Sequence, residues 1–310
     1  MALPSTCSRP PRAARTDGRR ADRERGAHGS AGVHAVLHFD VRPVSRPDPQ
    51  RISSSERLVA VAVIPARYQS TRLPGKPLLD LDGLPMIARV YDRVRATPGL
   101  AHVLVATDDL RVHDAVTRHG GQCRMTRADH RSGTDRLAEV AETLDCDLVV
   151  NVQGDEPLIE PAMIADAIAP FATDPTLQMA TLCRRLDDED EFLNPNLVKV
   201  VVGLDGFALY FSRAPIPYHR STGNRGVPAH AFKHIGLYVY RRDTLLTLAS
   251  LAPTPLEDAE LLEQLRALEH GIRIKTVETR HDSVGVDTPE DLARVRELLT
   301  AARAHHHAEC

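Results

Sequence analysis

From residue 58 onward the chain alternates between short apolar runs rich in Val and Ile and amphipathic segments of ten to thirteen residues. This alternation constrains the fold more than any other feature, because strands separated by helical crossovers join as βαβ units into a largely parallel sheet. Residues 58–64 form an apolar run suited to a strand buried on both faces. Across 85–97, Met86, Ile87, Val90, Tyr91 and Val94 recur at the helical period. A strand at 102–107 precedes a helix at 110–119, which Gly120-Gly121 should stop, and 121–125 reads as a weaker strand. Ser132 is placed to cap a helix reaching Leu144, 147–152 is a strongly apolar strand, and Pro161 opens a helix to Phe171.

The rhythm then changes. Residues 197–202 and 207–211, joined by Gly203-Leu204-Asp205-Gly206, predict a hairpin. A strand at 233–240 follows, then one amphipathic helix over 256–270 ended by Gly271, then a strand at 272–277. Thr288-Pro289-Glu290 is a helix start, with Thr288 at the cap, and that helix should run to about Arg303. The expected architecture is α/β, with a mixed sheet whose parallel half is followed by antiparallel insertions.

Composition narrows the function classes. No apolar run approaches the ~20 residues a membrane helix needs, and the N-terminus lacks the apolar core of a secretory signal. Cys7, Cys123, Cys146, Cys183 and Cys310 form no CxxC pair, which speaks against a disulfide scaffold or a zinc ribbon. A soluble cytoplasmic protein is expected, with no membrane partner. Residues 1–57 hold 11 Arg, no Lys and six acids, whereas the other 253 residues carry 28 basic and 36 acidic groups. A body at −8 does not read as a nucleic-acid binder, which needs clustered positive charge. The Arg/Pro-rich segment 1–57 is expected to be a disordered extension. A targeting or nucleic-acid arm is the competing reading, weakened by the interspersed acids. The domain is expected to span 58–303, leaving 304–310, with His305–His307, as a mobile tail.

Three segments could carry chemistry. Pro65-Ala66-Arg67-Tyr68-Gln69-Ser70-Thr71-Arg72-Leu73-Pro74-Gly75-Lys76-Pro77 follows the first strand, where open α/β sheets place ligands. Arg67, Arg72 and Lys76 put three cations there, able to grip a polyphosphate. The loop matches neither GxxxxGK[ST] nor GxGxxG, and the bland reading is a solvated basic loop. Asn151-Val152-Gln153-Gly154-Asp155-Glu156-Pro157 ends an apolar strand. Asp155 could hold Mg2+ against a phosphate or merely end the strand in a turn, and Gly154 would permit close backbone approach. Asp287 precedes a good helix start and could be a second metal ligand. His234 reads more readily as a satisfied strand histidine, Arg213 as an edge charge, and Glu263-Gln264 as a solvated helix face.

Taken in order, IPARYQSTRLPGKPL, TRADHRSGTDRLAE, NVQGDEP, FLNPNLVKVV, ALYFSRAPIP, HIGLYVYR, PLEDAELLEQLRAL and GVDTPEDLARV resemble the 3-deoxy-manno-octulosonate (KDO) cytidylyltransferase family. The resemblance runs from about Val61 to Glu297. It implies a Rossmann-like mixed sheet of the nucleotide-diphospho-sugar transferase type, a three-layer α/β/α fold, usually homodimeric. It implies transfer of CMP from CTP to KDO with release of pyrophosphate, using Mg2+, for lipopolysaccharide or capsule assembly. Carried over by position, it makes Lys76, Asp155 and Asp287 catalytic, with the two aspartates holding the metal. Ala66, Arg67, Arg72, Lys76, Thr107, Asp108, Arg131, Ser132 and Arg136 fall where the nucleotide binds. Gln153, Arg213, His234, Tyr238, Glu263 and Gln264 fall on the sugar-acid pocket, with Arg213 and His234 the candidates for its carboxylate. No covalent nucleophile is needed, in keeping with the lack of a Ser/His or Cys/His constellation. Residues 218–231 are the least family-like, which leaves another acidic sugar or a phosphonate as the alternative acceptor. Sialic-acid cytidylyltransferases typically continue their loop with GGSKG and lack QGDEP, so they fit less well. A nucleotide-binding protein without turnover would need these aspartates or loop cations lost.

Overall fold

The computed structural model describes residues 58–69, 73–221, 223 and 226–308, with side chains as far as 301. The extension 1–57 and Arg72 lie outside the described residues. In chain order the first elements are β1 (Ala60–Ala66), the two-residue strands β2 (Asp80–Leu81) and β3 (Leu84–Pro85), α1 (Met86–Arg95), β4 (Leu100–Thr107), α2 (Leu110–Arg118), β5 (Cys123–Met125), α3 (Gly133–Ala141) and β6 (Leu148–Asn151). There follow α4 (Pro161–Ile168), α5 (Pro170–Thr173), β7 (Met179–Arg185), α6 (Glu189–Leu193), β8 (Lys199–Val202) and β9 (Ala208–Ser212). The last are β10 (Phe232–Arg241), α7 (Arg242–Ser250), α8 (Pro255–Glu260), α9 (Gln264–Glu269), β11 (Ile274–Glu278) and α10 (Pro289–Ala308).

The main sheet runs β11-β7-β10-β6-β1-β4-β5, with the β8–β9 hairpin attached through β8 to β10. Strands β6, β1, β4 and β5 are mutually parallel, β10 is antiparallel to β6, β7 and β8, and β11 is parallel to β7. The expected mixed sheet is therefore present. Its sides are covered differently by the period-two alternation of β1. Ala60, Ala62 and Ile64 face α1, α2 and α4, while Val61 and Val63 face α3, α7 and α9. Both sides are fully apolar, which makes β1 a strand buried on two faces; each such Val or Ile contributes about 1.5–3 kcal/mol by burial. The chain leaves β1 for β4 on one side and returns at β6 on the other. That divergence opens a crevice at the carboxyl ends of β1 and β6, where open α/β sheets bind ligands.

Local signals explain most boundaries. Helix α2 ends in a Schellman turn, with Gly120 at φ +82° and bonds from Gly120 N–H to the Thr117 carbonyl and from Gly121 N–H to that of Val116. Ser132 caps α3 in a capping box with Asp135. Two expected helices are broken. The helix over 161–171 divides at Pro170, which lacks the N–H that would continue it. The helix over 256–270 divides because Leu261 adopts the left-handed conformation, φ 52°. β7, α6 and α7 have no counterpart in the sequence reading, and α10 continues to Ala308, past Arg303. Among the described residues, no helix is long and apolar enough to cross a membrane.

Candidate active site

Lys76 lies in a short 3-10 turn after the loop that leaves β1. Its ammonium donates to Oδ2 of Asp155 at 2.5 Å and to Oδ1 of Asp287 at 3.0 Å. Burial works against the charge on Lys76, but the two carboxylates outweigh it and raise the pKa above the ordinary lysine value. Backbone contacts bring the aspartates there. The N–H of Val286 donates to the Asp155 carbonyl at 2.9 Å, joining the loop after β6 to the turn before α10. Asp291, bonded to Thr288 as the α10 cap, also accepts the Asp287 N–H at 3.0 Å and so orients that residue. Gly154 is required by close approach: a Cβ there would sit 2.7 Å from the carbonyl oxygen of Pro65.

One wall is built from the ends of β1 and β4 and the start of α3. Ala66 closes β1, buried, and Thr107 closes β4 with no exposure. Asp108 pairs at 3.1 Å with Arg136, whose side chain is wholly buried and also donates to the Thr126 hydroxyl. Arg67 is exposed and donates to the His130 carbonyl at 2.7 Å, tying its loop to the segment before α3. Arg131 is exposed beside the Ser132 cap. The N-terminus of α3 adds its partial positive charge to this wall.

Beyond it lies a cavity of about 160 Å3. Gln153, Tyr238, Glu263 and Gln264 line it, as does the unforeseen trio Thr134, Asn151 and Tyr240. The Thr134 hydroxyl donates to Oε2 of Glu263 at 3.0 Å. Burial pushes the Glu263 carboxyl up, and the hydroxyls of Ser132 and Thr134 partly offset that. His234 stands beside this group, its ring 5.4 Å from that of Tyr238 and its Nε2 3.0 Å from the Thr181 hydroxyl. Burial lowers its pKa to about 3, so it is neutral near pH 7. Arg213 is held away: its guanidinium donates to the carbonyls of Glu260 and Pro195, and its N–H to the Glu260 carboxylate. Neither residue is among those that line the cavity, and of the two candidates for the acceptor carboxylate His234 is uncharged near pH 7. A larger open groove of about 520 Å3, at Asp166, Glu278 and His281, contains none of the expected groups.

Comparison with known proteins follows the same boundaries. The cytidylyltransferase family profile matches residues 61–274. The 3-deoxy-manno-octulosonate cytidylyltransferase of Geobacter sulfurreducens is 54% identical over 245 residues, covering 77% of this chain and 98% of the relative. Its namesake from Syntrophotalea carbinolica is 56% identical over 243 residues, covering 77% and 97%. The chain belongs to the 3-deoxy-manno-octulosonate cytidylyltransferase family. A solved structure of CMP:2-keto-3-deoxy-manno-octonic acid synthetase complexed with CTP superposes with a TM-score of 0.74 at 48% identity, covering 79% of this chain and 99% of that one. A cytidylyltransferase from Leptospira borgpetersenii shares the fold alone, at a TM-score of 0.52 and 16% identity.

For a member of this family, Asp155 and Asp287 suit a magnesium ion. Both offer hard oxygen donors, and the two oxygens converge on one cation-sized position, filled here by the Lys76 ammonium. Magnesium typically takes one or two carboxylates and completes its shell with water and substrate phosphates, so two protein ligands are a sufficient set. Sequence signals existed for two of the three unforeseen cavity residues of this cytidylyltransferase-family chain. Asn151 is a polar residue interrupting an apolar strand, and Tyr240 stands two positions after Tyr238, on the same strand face.

Proposed function

We propose that the protein transfers CMP from CTP to the anomeric hydroxyl of 3-deoxy-D-manno-octulosonate, giving CMP-KDO and pyrophosphate. The observation that carries this reading is the meeting of Lys76, Asp155 and Asp287 at the carboxyl end of the sheet. The names of the close relatives supply the substrates.

In this reading Arg67, Arg72 and Lys76 bind the triphosphate and stabilise charge that builds on the departing pyrophosphate. Thr107, Asp108, Arg136, Arg131, Ser132 and Ala66 form the nucleoside wall, and Asp108 restrains the buried Arg136 so that the wall keeps its shape. Gln153, Tyr238, Glu263 and Gln264 orient the acidic sugar, whose anomeric oxygen attacks the α-phosphorus in line. Asp155 and Asp287 would hold Mg2+, which supplies polarisation of a phosphoryl oxygen and a lower pKa for a hydroxyl beside it. Neutral His234 contributes a fixed hydrogen-bonding edge rather than charge, and Arg213 buttresses the pocket through Glu260. The family resemblance further supports a cytoplasmic homodimer serving lipopolysaccharide or capsule assembly.

Pyrophosphate release from purified protein with CTP and Mg2+ tests the reading, with KDO, 8-amino-KDO, N-acetylneuraminate and no acceptor compared. Release with KDO alone is expected. Release only with another acid would keep the nucleotide chemistry and overturn the acceptor, and no release with any acceptor would overturn the function.

A further inference from the structure

Three buried polar atoms around the cavity have no hydrogen-bond partner: the side-chain carbonyl of Asn151, Oε1 of Glu263 and Nε2 of Gln264. Asn151 is only 3% exposed and Gln264 6%. Buried polar groups in native proteins nearly always find partners, because leaving one unpaired is costly. Three such atoms on residues that line one cavity mark a site completed by something else. Two are acceptors and one is a donor, the complement of hydroxyl groups, which can act both ways. Met179, Leu248 and the rings of Tyr238 and Tyr240 provide the apolar surface for a carbon skeleton.

Asn151 ends β6 and shares the face of Val149, turned toward α3 and α9. The Tyr240 phenol lies within hydrogen-bonding reach of both Asn151 and Thr134. The side-chain carbonyl of Asn151 is itself left without a hydrogen-bond partner. Thr134 engages Oε2 of Glu263 from the first turn of α3, across 129 positions of sequence, while Oε1 accepts no hydrogen bond and has only the Arg266 guanidinium 4.0 Å away.

We propose that Asn151 is a further specificity-determining residue of the acceptor subsite, accepting a hydrogen bond from one hydroxyl of a polyhydroxylated sugar acid, and that Thr134 is a positioning residue that fixes Glu263 to accept from a second. The proposal rests on the reading of this cavity as the acceptor pocket. It also links the subsites, since the helix that walls the nucleotide holds the carboxylate that reads the sugar.

The test is steady-state kinetics of the full chain with CTP and KDO for the wild type, Asn151→Ala, Thr134→Val and Thr134→Ser. Losing one hydrogen bond to substrate should raise the KM for KDO about tenfold in Asn151→Ala and Thr134→Val. The KM for CTP should stay within about twofold, and Thr134→Ser should restore the wild-type value, because serine keeps the donor. Unchanged KM for KDO in folded variants overturns the proposal, as does an equal rise in both KM values, which a merely structural role would give. Should Asn151→Ala fail to fold, acceptor analogues lacking single hydroxyls decide. At least one must bind the wild type more weakly while losing nothing further in Thr134→Val, and the absence of any such analogue overturns the proposal. A wild type inert toward every sugar acid would remove the functional reading and this proposal together. An active wild type with indifferent variants removes this proposal alone.

Discussion

Asp155 and Asp287 share one ammonium, and their charge does work that their shape does not. Asp155→Asn and Asp287→Asn should each lower turnover by at least ~100-fold, as losses of electrostatic groups commonly do, with circular dichroism and melting temperature little changed. Near-wild-type rates in either variant would remove that residue from the machinery. His234 gives a prediction of another kind. Unfolded, its imidazole titrates near 6.5, whereas burial holds it to about 3 in the fold. Below 6.5 the unfolded chain therefore takes up a proton that the folded chain refuses. Stability present above 6.5 falls by about 1.4 kcal/mol per pH unit toward 3. Urea midpoints of His234→Gln should decline less steeply than those of the wild type between about pH 6 and 4; parallel curves would contradict the buried neutral ring. At this scale the sequence was informative where charge types clustered. The cations of the 65–77 loop and Asp155 stood out, yet Thr134 did not, because its role depends on a partner 129 positions away.

Elements were legible in proportion to the strength of their own boundaries. The Gly120-Gly121 stop, the Ser132 cap and the Gly203–Gly206 hairpin all act through bonds between near neighbours in sequence. β7 was not legible because its polar Thr181, fully buried, finds its partners on β10: its single hydroxyl proton is within reach of the carbonyls of Leu237 at 2.8 Å and Ile235 at 3.1 Å. α7 is short, starts directly from β10 and buries only Thr244, Leu245 and Leu248, too few positions to display a period. The break between α8 and α9 followed from no helix breaker at all, since Leu261 is a good helix former placed left-handed. Its side chain is 78% exposed, so little packing is lost by removing it. Leu261→Gly should leave stability unchanged or raise it by up to ~1 kcal/mol, relief of left-handed strain offset by unfolded-state entropy. A drop of several degrees in melting temperature would show that the leucine itself is needed. Gly154→Ala acts in the opposite sense. Its Cβ would meet the Pro65 backbone, which cannot move without displacing β1, and a cost of ~1–3 kcal/mol is expected. Thermal unfolding measures it, and a wild-type melting temperature would contradict the contact.

At the scale of the molecule, the α/β class and the crevice at the strand ends followed from alternation alone, because a parallel sheet with crossover helices leaves few arrangements. Which antiparallel strand joins β6 was not legible, since β10 carries the same apolar signature as its neighbours. The family profile begins at residue 61, close to the start of β1. Deleting residues 1–57 should accordingly leave melting temperature and pyrophosphate release unchanged, and a loss of either would assign the extension a structural part.

The partners of the Lys76 clamp are far apart along the chain, with Asp287 lying 211 positions after the lysine it meets. Every strand of the sheet is synthesised before that second carboxylate emerges. A polypeptide arrested after β11 would have each strand and most of its core, yet lack half of the acid pair. The turn ahead of the last helix thus brings the second acid of the pair to a sheet whose strands all precede it in the chain.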